Sequence, residues 1–182
     1  MTRSFIKPGV RTRSVPALAL LAGLSVLATA CTSAPEPQTP AYRALIVTET
    51  ACFGFCPDYT ITITPDDHYV LEARRFTRTT GQSEGALPAG SFDQMMAVLA
   101  REEFSGLPPE IVSGNDETCP RWHTDAPSVT LAADSASGPV AVDWYRGCSG
   151  HPAIERVARI VEDLRPLYQF DDLIAPERAD AE

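Results

Sequence analysis

Cys52 and Cys56 stand four apart in Thr50–Thr60, TACFGFCPDYT, with Gly54 between them and Pro57 directly behind. Two cysteines at that spacing can hold a metal, cycle between thiol and disulfide, or close a small ring. Gly54 tolerates positive φ and Pro57 fixes its own, so the stretch reads as a tight turn. Phe53 and Phe55 flank the glycine. They can pin the knuckle onto an apolar surface or, together with Tyr59, present an aromatic contact on a rigid support. Tyr59, Ile61 and Ile63 then alternate with Thr60, Thr62 and Thr64, which is a strand pattern of period two.

The start of the chain is an address. Arg3, Lys7, Arg11 and Arg13 precede the apolar run Ala17–Ala30, too short to span a membrane comfortably, so residues 1–30 read as an export signal. Leu27-Ala28-Thr29-Ala30-Cys31 resembles the lipobox of bacterial lipoproteins, with small residues just before a cysteine. That resemblance implies that Cys31 becomes the acylated N-terminus, held on a lipid membrane by several acyl chains at about 0.8 kcal/mol per buried methylene. The alternative is an ordinary Ala-x-Ala cleavage site, which leaves an unpaired cysteine at the head of the mature chain. Thr32, rather than Asp, follows Cys31, which is compatible with the outer membrane. The expected location is the bacterial cell envelope, lipid-anchored and facing the periplasm. Thr32–Ala41, TSAPEPQTPA, is a proline-rich spacer; at about 3.1 Å per residue it reaches roughly 30 Å.

Removal of the signal changes the charge. Four of the 15 basic residues lie before Cys31, leaving 11 against 24 acids, so the mature net charge is 11 − 24 = −13. An acidic body without a basic cluster argues against nucleic acid, whose phosphates need Arg or Lys, and against an electrostatic grip on anionic lipid. The chain's one lysine, Lys7, leaves with the signal, which excludes Schiff-base chemistry.

Cys119 and Cys148 complete the mature set, and four cysteines permit three connectivities. An oxidising compartment favours disulfides. Cys119 lies ahead of a hairpin and Cys148 just after it, both at the open end, which favours Cys119–Cys148 beside Cys52–Cys56. Zinc binding by all four is a weaker reading, because C-x3-C followed by C-x28-C lacks a second close pair. Copper is the sharper rival. Cys52-Phe53-Gly54-Phe55-Cys56-Pro57 resembles the C-x3-C-P spacing of thioredoxin-like copper chaperones, with His151 downstream as a third ligand. A helix should follow the cysteines in those proteins, and here a strand follows.

The elements that must position these residues run from Tyr42 to Ile174. Ala44–Thr48 reads as a short strand, and Asp58–Thr64 with His68–Phe76 as a hairpin around Pro65-Asp66-Asp67. Thr77–Leu87 is polar and reads as loop. Ser91 and Gln94 form a capping-box pattern for a helix whose apolar face is Phe92, Met95, Met96 and Leu99, stopped at Gly106-Leu107-Pro108-Pro109. Glu110–Trp122 reads as irregular. Ser128–Ala133 and Val140–Tyr145 form a second hairpin. Pro152 suits the first turn of a second helix carrying Ile154, Val157, Ile160, Val161, Leu164 and Tyr168 on one face, with Glu155 and Arg159 as an exposed i,i+4 pair. Residues 175–182 are an acidic tail. The expected class is α+β, in the order β-ββ-α-ββ-α: a leading strand and two hairpins in an antiparallel sheet, with both helices on one face and a wetter face carrying the threonines.

Little else points to catalysis. His123 and Asp125 lie near Cys119, but a Cys/His/Asp nucleophile needs a free thiolate. The simpler expectation is that Trp122 packs while His123 and Asp125 make loop hydrogen bonds. No phosphate-cradling loop or His-Glu-x-x-His occurs, and Asp66-Asp67 and Asp171-Asp172 are too bare for a calcium loop. No cofactor is expected.

Cys-Phe-Gly-Phe-Cys-Pro-Asp-Tyr resembles the Cys-Phe-Gly-x-Cys-Pro-x-Tyr signature of a family of bacterial, often lipoprotein-like, proteins known only as a domain of unknown function. Thr124–Ser128 and Tyr145–Cys148 are similar to its later blocks. Those members that keep the first cysteine pair while lacking the second imply two independent pairings here. The family carries no activity to this chain. The expectation is therefore a membrane-anchored, non-enzymatic binding or structural module with an envelope protein as possible partner. The alternative is a thiol-redox or copper(I)-handling protein using Cys52 and Cys56, assisted by His151 or His123.

Overall fold

A computed structural model describes residues 42–136 and 138–176. The expected export signal, Cys31, the spacer and residues 177–182 lie outside the described residues. Apolar residues at every second position set the core strands: β1 (Tyr42–Glu49), β2 (Asp58–Ile63), β3 (His68–Arg75), β7 (Ser128–Ser135) and β8 (Val140–Tyr145). Register aligns their inward residues in rows. Leu45 faces Ile63 and Ala133, Val47 faces Ile61 and Leu131, and Glu49 faces Tyr59 and Val129.

Two further elements join that sheet: β4 (Gly81–Ala86) and the two-residue β5 (Glu110–Ile111). Among the described residues the strand order is β4-β3-β2-β1-β7-β8-β5, antiparallel throughout except for the β5–β8 pair. A second small sheet pairs β6 (Arg121–Trp122) with β9 (Cys148–Ser149). Helices α1 (Ser91–Arg101), α2 (Pro152–Leu167) and the short α3 (Phe170–Leu173) bury their apolar residues in one core with the inward rows of the sheet. The content is mixed, as expected of an α+β chain.

Several local readings are corrected. Thr77–Leu87 holds a strand, β4, whose GQSEGA side chains are almost all exposed. It is an edge strand held by backbone pairing to β3, so no apolar alternation betrays it, and Glu84 helps keep the edge from pairing further. Tyr69 packs over Gly85, where a Cβ would come within 2.9 Å of the ring. The Ser91/Gln94 capping box does not form: Gly90, at φ 82°, is the N-cap, and Ser91 Oγ donates to Pro88 O instead. Asp67 of the β2–β3 turn does the capping from a distance, its carboxylate accepting from Gly90 N at 2.6 Å and Phe92 N at 2.8 Å. Arg159 pairs with Glu102, just past α1, at 3.2 Å, and no pair with Glu155 is formed, because the packing of α1 against α2 brings the Glu102 carboxylate within reach.

Candidate functional site

Both cysteine pairs are closed. Cys52–Cys56 and Cys119–Cys148 have Cα–Cα distances of 5.5 and 5.1 Å. The small ring lies between β1 and β2, where Gly54 takes φ 154°, a conformation that residues with a side chain rarely adopt. Phe53 N donates to Asp125 O at 3.3 Å, which ties the ring to the loop ahead of β7.

Phe53 and Phe55 do not reach the core. They are 89% and 84% exposed, with Phe55 meeting Phe76 edge-to-face at 5.3 Å. Leaving an apolar side chain in water forgoes about 1.5–3 kcal/mol each, so the knuckle holds two unburied aromatic contacts on a covalently closed ring. Tyr59 does not belong with them. It is fully buried, since strand alternation puts it on the same side as Ile61 and Ile63. Trp122 also departs from expectation: it is 53% exposed rather than packed. His123 and Asp125 are exposed in the same loop, and the Asp125 carboxylate accepts from Thr124 Oγ1 at 3.0 Å.

The loops around the knuckle form one unit. His123 N donates to Gly147 O, Arg146 N donates to Pro127 O, and Tyr145 OH donates to His123 O while accepting from Ala126 N. A Cβ on Gly147 would lie 2.4 Å from His123 O, so only glycine fits that crossing. With the Cys119–Cys148 bond beside it, this end of the sheet is held by backbone and covalent contacts.

Beneath the knuckle lies a buried polar network that the sequence reading missed. Glu49 Oε1 accepts from Tyr59 OH at 2.9 Å and from Arg165 Nη2 at 2.6 Å. Tyr59 spends its one hydrogen on Glu49, so the 2.9 Å contact with Tyr168 is a hydrogen bond donated by Tyr168. Arg165 also lies over the Phe170 ring at 4.3 Å. Burial, reinforced by the neighbouring Glu49 charge, pushes both phenols above the usual tyrosine range. A signal was available, because Glu49 occupies an inward position in the alternation that begins at Leu45 and Val47. With carboxylate, guanidinium and both phenols bonded to one another, the arrangement is that of a structural clamp.

His151 lies elsewhere. It is the N-cap of α2, and its Nδ1 accepts from Ala153 N at 3.1 Å at the edge of a shallow cleft with Ser149, Gly150 and Glu155. Among the described residues no three His, Cys, Asp or Glu side chains gather to hold a metal ion, so His151 is not brought to the Cys52–Cys56 pair. No described helix is long and apolar enough to cross a membrane.

Fold and site together define a disulfide-stapled α+β domain that carries an aromatic knuckle at one end of its sheet. The chain belongs to the family described as Domain of unknown function (DUF6438), whose model matches residues 43–165. No curated protein matches it.

Proposed function

We propose that this protein is a lipid-anchored, non-enzymatic binding module of the bacterial cell envelope, and that the Cys52–Cys56 knuckle is its contact element. One observation carries the reading: Phe53 and Phe55 stand in solvent on a five-residue disulfide ring. Aromatic side chains on rigid supports are effective anchors, because little conformational entropy is lost when they dock. Two disulfides fit an oxidising, extracytoplasmic compartment, and the lipobox-like Leu27–Cys31 with the proline-rich Thr32–Ala41 supplies the anchor and spacer.

The test uses the full chain in its native envelope with Phe55 replaced by its photoreactive p-benzoyl analogue. A discrete adduct is expected on irradiation, absent when the analogue sits at Glu72 on the outer face of β3. Phe53→Ser should abolish the Phe55 adduct with the melting temperature nearly unchanged. An adduct that survives Phe53→Ser, or a large loss of stability in that variant, sinks the reading.

A thiol-redox or copper(I) role for Cys52 and Cys56 is the second reading, favoured by the half-exposed position of both cysteines. It predicts that the bond opens near about −200 mV, whereas a structural staple resists to roughly −300 mV. Thiol counting by mass across a range of potentials separates the two.

A further inference from the structure

Two exposed arginines beside the knuckle lack the acidic partners that most of the protein's arginines have. Arg74 and Arg75 pair with Asp58, Arg101 with Glu102 and Asp163, Arg156 with Glu103, Arg159 with Glu102, and Arg165 with Glu49. Arg121 and Arg146 are different. Both are exposed, and neither has a carboxylate partner among the described residues, a state shared by Arg43 at the opposite end of β1. Arg146 instead lies over the Trp144 ring at 5.7 Å, and Arg121 runs along the backbone of Gly150, where an added Cβ would sit 3.2 Å from its Nη2. In a mature chain of net charge 11 − 24 = −13, two arginines free of their own acids stand out on this platform, where Asp125 is the exposed carboxylate of the same loop.

That platform is continuous with the knuckle. Phe53 N bonds Asp125 O, Arg146 N bonds Pro127 O, and β6, which contains Arg121 and Trp122, pairs with β9. The exposed aromatics Phe53, Phe55, Phe76 and Trp122 thus share one backbone-linked end of the sheet with Arg121 and Arg146. Aromatic residues and arginine are the types enriched where proteins bind proteins, while lysine and acids are depleted there.

We infer that the partner is an envelope protein presenting an acidic rim around an apolar pocket: Phe53 and Phe55 enter the pocket, and Arg121 and Arg146 steer and register the rim. This rests on the knuckle being the contact element. A second copy of the chain fits poorly, since an isologous contact sets like charges against each other on two strongly acidic bodies.

The experiment follows the Phe55 photo-adduct in the full chain. Arg121→Glu with Arg146→Glu is expected to lower adduct yield by about ten-fold, and raising salt from about 0.05 to about 0.5 M should lower it several-fold. Arg43→Glu, at the far end of β1, should leave it unchanged, and all variants should keep their melting temperature. If charge reversal and salt change nothing while Phe53→Ser still abolishes the adduct, the acidic partner is wrong and the knuckle contact stands. If Phe53→Ser also changes nothing, both fall. An adduct whose mass is that of a phospholipid, a glycan or a second copy overturns the inference as well.

Discussion

Arg165 of α2 places Nη2 2.6 Å from Glu49 Oε1 at the end of β1, although 116 residues separate them in the chain. The pair fastens the last turn of the long helix to the central strand directly below the knuckle. Glu49 is 2% exposed, whereas the Arg165 side chain keeps 29% of its surface. The two partners are therefore unequal in what their loss leaves behind.

Arg165→Met strands a buried carboxylate and should cost about 3–5 kcal/mol in urea unfolding. Glu49→Leu leaves an arginine that can still reach water and should cost less. The double variant should recover much of the loss of Arg165→Met, since an apolar pair of similar volume has no charge to desolvate. Equal costs for the two single variants would contradict the asymmetry.

Tyr59 and Tyr168 give the clamp a pH dependence. Both hold their protons more tightly in the folded state than in the unfolded one, where tyrosine titrates near about 10. Their contribution is fully present below about pH 10 and is lost as pH rises beyond it toward the folded-state values. The urea midpoint should fall between about pH 10 and about pH 11.5, and Tyr168→Phe should make that fall shallower. A midpoint independent of pH over this range would exclude the effect.

Asp67 should behave as a cap even though it is 25 residues from Phe92. Asp67→Ala removes the acceptor of two amides at the start of α1 and places alanine at φ 60°, so a loss of about 2 kcal/mol or more is expected. Asp67→Asn keeps one acceptor oxygen and tolerates the left-handed backbone, and should cost roughly half as much. Amide hydrogen exchange at Phe92, faster in Asp67→Ala than in Asp67→Asn, reads out the cap directly.

Gly147→Ala should be severe and Gly106→Ala mild. A Cβ at Gly147 meets His123 O and the Tyr145 ring at 2.4 Å, while one at Gly106 meets nothing within 4 Å. Losses of about 3 kcal/mol and under about 0.5 kcal/mol respectively are expected by thermal unfolding. Comparable stabilities would mean that the crossing of residues 123 and 147 yields easily.

What the amino-acid order determined was periodic or compositional. Alternation over Tyr59–Ile63, the 3.6-residue spacing from Val157 to Leu164 and the turn chemistry of Pro65-Asp66-Asp67 are local signals that need no partner, so the core strands and both long helices were legible. The knuckle itself was legible from Gly54 and Pro57 between and behind close cysteines. Strand parity also held the answer for Tyr59, whose neighbours Ile61 and Ile63 face inward. Only the tertiary structure decided the rest. β4 exists through hydrogen bonds to β3 and carries no apolar pattern. Asp67 caps a helix because folding carries a turn to Gly90, and Glu49 acquires its meaning from an arginine on the last turn of α2. Whether Phe53 and Phe55 packed or stood in water depended on whether any element lay above the ring, and no local pattern encodes that.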